Sequence, residues 1–144
     1  MRIAIGADHG GYELKEQIKE FLIQEGHDVT DKGTHSLKST DYNDHAIAVA
    51  EGVRDGLFDR GILICGTGVG MSIQANKVDG VRAALVHDMF TAEATRLHND
   101  SNVLTMGGRV IGPDLAKAIV KVWVDTTFSG DERHVRRIGK IDQY

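Results

Sequence analysis

Short apolar runs and longer amphipathic runs alternate along this chain from residue 2 onward, with glycines at most of the joins. "RIAIGA" (2–7) reads as a buried strand. "YELKEQIKEFLIQEG" (12–26) reads as a helix whose apolar stripe is Leu14, Ile18, Phe21 and Leu22, closed by Gly26. "HDVTDKG" (27–33) is a second strand, and residues 41–56, with Ala46, Ile47, Ala50 and Val53 in helical register, form a second helix ending at Gly56. The pattern continues as strand "GILICG" (61–66), helix "VGMSIQANKV" (69–78), strand "RAALVH" (82–87), helix "DMFTAEATRLH" (88–98) and strand "NVLTMGG" (102–108). It closes with a helix over 113–128, Pro113 in its first turn, and a basic helical segment over 131–144. Five strands separated by helices call for right-handed crossovers and a parallel sheet covered on both faces. The expected fold is therefore a three-layer α/β/α doubly wound domain, Rossmann-like, with a five-stranded parallel sheet and a C-terminal basic helix.

The 144 residues suit one domain with one core, and neither a linker-like composition nor a repeat divides residues 1–144. No window supplies the roughly 18 apolar residues of a membrane span, and "MRIAIGADHG" turns polar before a signal core can form. A cytoplasmic setting is expected. A single cysteine makes neither a disulfide framework nor a Cys-x-x-Cys pair. The formal net charge of -4 argues against a nucleic-acid surface but leaves room for a small anionic ligand.

In doubly wound folds ligands bind beyond the carboxyl ends of the strands. That places Asp8 and His9, Cys65 to Gly70, His87 and Asp88, and Gly107 to Arg109 along one rim. The loop "CGTGVGMS" is the densest signal there. Its glycines let backbone approach a ligand, and the next helix would aim free N–H groups at the same space; a tight strand-to-helix turn without a ligand is the plainer alternative. A phosphate-binding P-loop requires a lysine after the glycines, and here Gly70 is followed by Met71 and Ser72. A dinucleotide fingerprint belongs after the first strand, where the chain reads "GADHGG". A cysteine phosphatase would carry an arginine at position 71. The loop thus suits an oxyanion such as an enediolate beside the thiol. Cys65 would take a proton from carbon while the N–H groups of Gly66, Thr67, Gly68, Val69 and Gly70, with the Thr67 hydroxyl, stabilise the charge. As a lone thiol ending a strand, a small core residue is its plainer alternative.

Asp8 and His9 are expected to contact a polar ligand, since their spacing matches no metal site. "RHVRR" (133–137) sets Arg133 and Arg137 four apart on one helical face, able to clamp a phosphate or simply to be solvated. His98 ends a helix that begins at the rim, so about ten residues at 1.5 Å each carry it roughly 15 Å away from Cys65. Either His98 and Asn99 merely finish that helix, or they reach the site of a neighbouring chain. Among the other histidines only His87 and His134 fall near candidate site loops.

The runs "ADHGG", "DKGT", "GILICGTGVGMSIQANK", "VRAAL", "RLHNDSNVLTMGGRVIG" and "RHVRRI" together resemble, in order and over nearly the whole chain, the sugar-phosphate isomerase family that holds the B-type ribose-5-phosphate isomerases and the allose- and galactose-6-phosphate isomerases. The resemblance implies an aldose–ketose isomerase free of metal and cofactor, interconverting ribose 5-phosphate and ribulose 5-phosphate through a cis-enediolate. It implies Cys65 as the base, residues 66–70 as the anion hole, and His98 as the acid of ring opening with Asp8 as its polar partner. By the same resemblance His9, Arg133 and Arg137 bind phosphate, and Asn99 and Arg109 make further substrate contacts. It also implies a homo-oligomer, dimer or tetramer, with sites shared between subunits. The chain departs from the family at Asp41-Tyr42-Asn43, where relatives often have proline third, and at "SGDERH" before the arginine pair. A hexose-6-phosphate isomerase is the alternative within the class, and a non-catalytic phospho-ligand-binding domain is the alternative outside it.

Overall fold

The alternation folds as expected. A computed structural model describes residues 1–144, with, in chain order, β1 (Arg2–Ala7), α1 (Tyr12–Gln24), β2 (Asp28–Asp31), α2 (Tyr42–Arg54), β3 (Arg60–Cys65), α3 (Val69–Ala75), β4 (Ala83–Leu85), α4 (Met89–Asn99), β5 (Val103–Gly107), α5 (Pro113–Asp125) and α6 (Glu132–Gln143). Every strand pairing is parallel, in the order β2-β1-β3-β5-β4. The chain leaves β1 toward one edge through β2 and returns to build the other half from β3. The crevice between the carboxyl ends of β1 and β3 is therefore the topological switch point.

Strand periodicity sorts the core into two faces. Ile3, Ile5 and Ala7 of β1, Ile62 and Ile64 of β3, and Leu104 and Met106 of β5 pack against α1 and α5, including Ile18, Leu22, Ile119 and Trp123. The intervening Ala4, Leu63, Cys65 and Val103 pack against Ala46, Val49 and Ala50 of α2 and Met71 and Ala75 of α3. Each large aliphatic side chain removed from water in this way contributes about 1.5–3 kcal/mol. The apolar stripe on α1 lands as read, with Leu14, Ile18 and Leu22 buried and Phe21 partly so.

Two helices end earlier than their sequence pattern suggests, and tertiary partners explain both. α3 stops at Ala75 rather than Val78 because the Asn76 side chain pairs with the open edge of β4. Its Oδ1 accepts from Ala83 N–H at 2.8 Å and its Nδ2 donates to the Ala83 carbonyl at 3.0 Å. α5 stops at Asp125 rather than Phe128, where the Arg60 guanidinium takes the carbonyls of Trp123 and Val124 at 2.6 and 2.9 Å.

Lys15, one residue after the stripe begins, is fully buried. Its ammonium donates to Asp31 Oδ2 at 2.6 Å and Glu16 Oε1 at 2.9 Å, and Lys19 donates to the same Asp31 oxygen at 2.9 Å. Burial acts to raise the Asp31 pKa, but the two ammonium groups and the Gly33 N–H outweigh it and bring it down to about 2. Asp31 Oδ1 accepts that Gly33 N–H at 2.8 Å, and Gly33 and Thr34 in turn clasp Ala7, each through a 2.6 Å backbone bond. The charge network thus fixes the end of β1 just before Asp8.

Candidate active site

The two sides of the switch point are sewn together through backbone. Asp8 is buried, its N–H donates to the Ile64 carbonyl at 3.2 Å, and its Oδ1 accepts from Gly10 and Gly11 N–H at 2.9 and 3.2 Å. The turn admits no side chain at Gly11, where a Cβ would strike the Ile64 carbonyl. His9 Nδ1 accepts from the Thr40 N–H at 3.3 Å, which puts the proton of the neutral ring on Nε2. Thr40 Oγ1 also pairs with His45 Nε2 at 3.2 Å.

Cys65 combines both readings of a lone thiol. It is 5% exposed and packs in the α2/α3 core, yet its Sγ accepts the Gly68 N–H at 3.0 Å. Gly68 has φ 80°, and a Cβ there would meet Leu85 at 2.6 Å and the Met106 backbone at 2.7 Å. Only glycine fits that turn. The expectation that residues 66–70 hold free N–H groups needs correction, because Gly68 serves the thiol and Val69 N–H donates to Thr67 Oγ1 at 3.3 Å. α3 is also only seven residues long.

The third wall is the turn after β5. Gly108 N–H donates to the Cys65 carbonyl at 2.8 Å and Arg109 N–H to the Gly66 carbonyl at 3.0 Å, while Arg109 Nη1 lies 3.1 Å from where a Gly66 Cβ would be. Gly107 N–H donates to His87 Nε2 at 2.8 Å. Burial pushes the His87 pKa below its ordinary 6.5, against the opposing field of Asp88. Asp8, His9, Cys65 to Gly70, His87 and Arg109 therefore share one rim. Sequence reasoning gave no role to Thr40 or Tyr42; the Tyr42 ring covers Gly70, 2.6 Å from the position of its missing Cβ.

His98, Asn99, Arg133 and Arg137 are not on that rim. The Asn99 and Asp100 carbonyls accept from Arg82 Nε, both at 3.2 Å, and Arg82 precedes β4 at the amino end of the sheet. His98 stacks on His134 of α6 with ring centroids 4.7 Å apart. Burial, then the charges of Arg133, His98 and Arg137, push the His134 pKa below 6.5, against Asp131. Arg133 and Arg137 are exposed. A groove of ≈ 680 Å³ opens at this same end between Arg82, Thr95, Asn99, Ile141 and Asp142. No three His, Cys, Asp or Glu side chains are grouped to hold a metal ion, and no helix is long and apolar enough to cross a membrane.

A parallel sheet carrying a thiol, a carboxylate and a glycine loop at its switch point defines a doubly wound domain whose polar groups gather where folds of this class bind small ligands. The ribose/galactose isomerase family model matches residues 3–141. The chain is 54% identical over 145 residues to the putative sugar phosphate isomerase YwlF of Bacillus subtilis, covering 100% of this chain and 97% of that one. It is 48% identical to ribose-5-phosphate isomerase B of Escherichia coli over 97% of this chain and 93% of the other. The solved structure of Clostridium thermocellum ribose-5-phosphate isomerase B superposes with a TM-score of 0.97 at 52% identity, covering 99% and 96%. The chain belongs to the ribose/galactose isomerase family.

Proposed function

We propose that residues 1–144 form a single catalytic domain that interconverts D-ribose 5-phosphate and D-ribulose 5-phosphate. The observation that carries the reading is the Gly68 N–H on Cys65 Sγ at 3.0 Å, at the switch point of a chain in this family. The contact holds Sγ in one orientation beside the loop, where it can meet a C–H bond of a bound substrate. Cys65 takes the C2 proton of the open-chain aldose. The electron pair enters the C1–C2 bond, and O1 becomes the oxyanion of a cis-enediolate. A proton passes from O2 to O1, and the proton on sulfur returns to C1 to give the ketose. C1 is reduced as C2 is oxidised within the same molecule, so no redox partner enters the balance. Gly66, Thr67 and Gly70 surround the developing charge, and Arg109 lies against Gly66 to meet it.

Ring opening needs an acid at the ring oxygen, and phosphate capture needs cations. His98 fills the first role with Asp8 as its partner, and His9, Arg133 and Arg137 the second, with Asn99 as a further contact. Because His98 and the arginines lie at the far end of the chain from Cys65, a second copy supplies them, and the enzyme is a homo-oligomer with shared sites. The family's description names galactose as well as ribose, so a hexose 6-phosphate is the second reading. Comparing kcat/KM for five- and six-carbon aldose phosphates, without added metal, tests both. Higher kcat/KM for the pentose supports the proposal, and preference for the hexose replaces it.

A further inference from the structure

We propose that His87 is a positioning residue for this reaction, its neutral imidazole accepting the Gly107 N–H and so keeping the Gly107–Arg109 turn seated on the Cys65–Thr67 backbone. Three consecutive N–H groups pin that turn. Gly108 and Arg109 donate to the carbonyls of Cys65 and Gly66, but Gly107 donates to a side chain, His87 Nε2, at 2.8 Å. Gly107 lies so close to the loop that a Cβ would come within 2.7 Å of Thr67 Cα and 2.8 Å of the Gly66 carbonyl oxygen. Any drift of Gly107 therefore moves into Gly66–Thr67 or drags Arg109 off Gly66. An acceptor on the Gly107 N–H fixes the one pin that no carbonyl supplies.

The acceptor is also titratable, which the other two are not. A protonated imidazole has no lone pair on Nε2, so acid breaks this contact and leaves the carbonyl contacts intact. The ring is half-buried at the end of β4. Asp88 is the one charged group with an appreciable field on it, and Asp88 is itself held at 2.7 Å by both the N–H and the hydroxyl of Thr91. Burial keeps the ring neutral at pH 7, and the contact weakens as pH falls below the ordinary histidine range.

The inference rests on the isomerase reading for its consequence and on the His87–Gly107 contact for its cause, and two measurements separate them. In nitrogen NMR of the intact protein, His87 should be the Nδ1–H tautomer, and the Gly107 amide should shift as His87 titrates below its ordinary 6.5. In His87→Gln, whose amide oxygen offers a non-titrating acceptor, that shift should vanish. In kinetics with ribose 5-phosphate at pH 7.5, His87→Ala should lower kcat about tenfold with KM changed less than about twofold, and His87→Gln should recover most of the loss. An Nε2–H tautomer, or a Gly107 amide indifferent to His87, overturns the contact. An active wild type whose His87→Ala variant keeps full kcat overturns the positioning role. A wild type with no turnover refutes the isomerase reading and with it the catalytic consequence, while the NMR still decides the contact. Where His87→Ala does not fold, the pH dependence of kcat in His87→Gln against wild type decides, since a positioning role predicts a smaller loss on acidification in the glutamine variant.

Discussion

At the carboxyl ends of β1 and β3 the polar groups are held by backbone, whereas at the opposite end α4 and α6 present theirs as side chains. Asp8 and Cys65 are nearly sealed and receive N–H groups from Gly10, Gly11 and Gly68. Arg133 and Arg137 stand in solvent beside a stacked histidine pair. The difference matches two physical demands. Moving a proton from carbon needs fixed atoms shielded from water, which short glycine-bordered turns provide. Capturing a phosphate needs mobile charge that reaches outward. On the proposed function the two demands fall to opposite ends of one chain's sheet.

The sharpest way to break this comparison is to disable each end in a different chain. Cys65→Ser should lower kcat about a thousandfold or more with the thermal midpoint unchanged, and His98→Ala should also be severely impaired. Mixed and allowed to exchange subunits, the two variants should recover roughly a quarter of wild-type activity, since one intact site forms in each mixed dimer. No recovery after verified exchange would place both ends in separate functions. Next in size is the support beneath the rim. Asp31→Asn leaves the fully buried Lys15 ammonium short of its carboxylate and should cost about 3 kcal/mol or more in urea unfolding. The sign with pH follows from a folded pKa of about 2 against the ordinary 3.8. Asp31 stabilises the fold fully above pH 3.8, and that contribution fades as pH falls toward 2, so the gap between wild type and Asp31→Asn should narrow in acid.

Gly68→Ala tests whether backbone alone shapes the rim. It forces a Cβ at φ 80° into Leu85 and Met106 and displaces the N–H on the thiol, and should lower kcat about a hundredfold with a smaller change in KM. At the other end the effect should be smaller and of opposite type. Arg137→Ala should raise KM about tenfold with kcat nearly kept, and Arg136→Ala should change either constant less than about twofold. Equal effects of the two arginines would make the cluster a general attractive field rather than a clamp.

The alternation of short apolar and longer amphipathic runs carried the architecture, because strand and helix periods are local properties of the chain. The rim was legible for the same reason: in a parallel sheet every strand's carboxyl end faces one way, so Asp8, Cys65 and Arg109 converge once the strands are placed. Even the separation of His98 from Cys65 followed from the rise of one helix. Three things were not legible. Nothing in the helix pattern singles out Lys15 until β2 brings Asp31 beneath it. The Gly68 and Val69 N–H groups read as open to an anion until the loop closes on its own Sγ and Oγ1. His87 reads only as a histidine near a candidate site loop until β5, inserted beside β4, turns Gly107 toward it.

The sequence by itself therefore determined the sheet, its two covered faces, and the end at which Asp8, Cys65 and Arg109 gather. Tertiary structure decided which polar atoms are already partnered and which stay available. That division has one physical cause. Periodicity and turn chemistry act over a few neighbouring residues, whereas hydrogen-bond partners are chosen among atoms as far apart in the chain as Lys15 and Asp31, or His87 and Gly107, which meet only when the layers close.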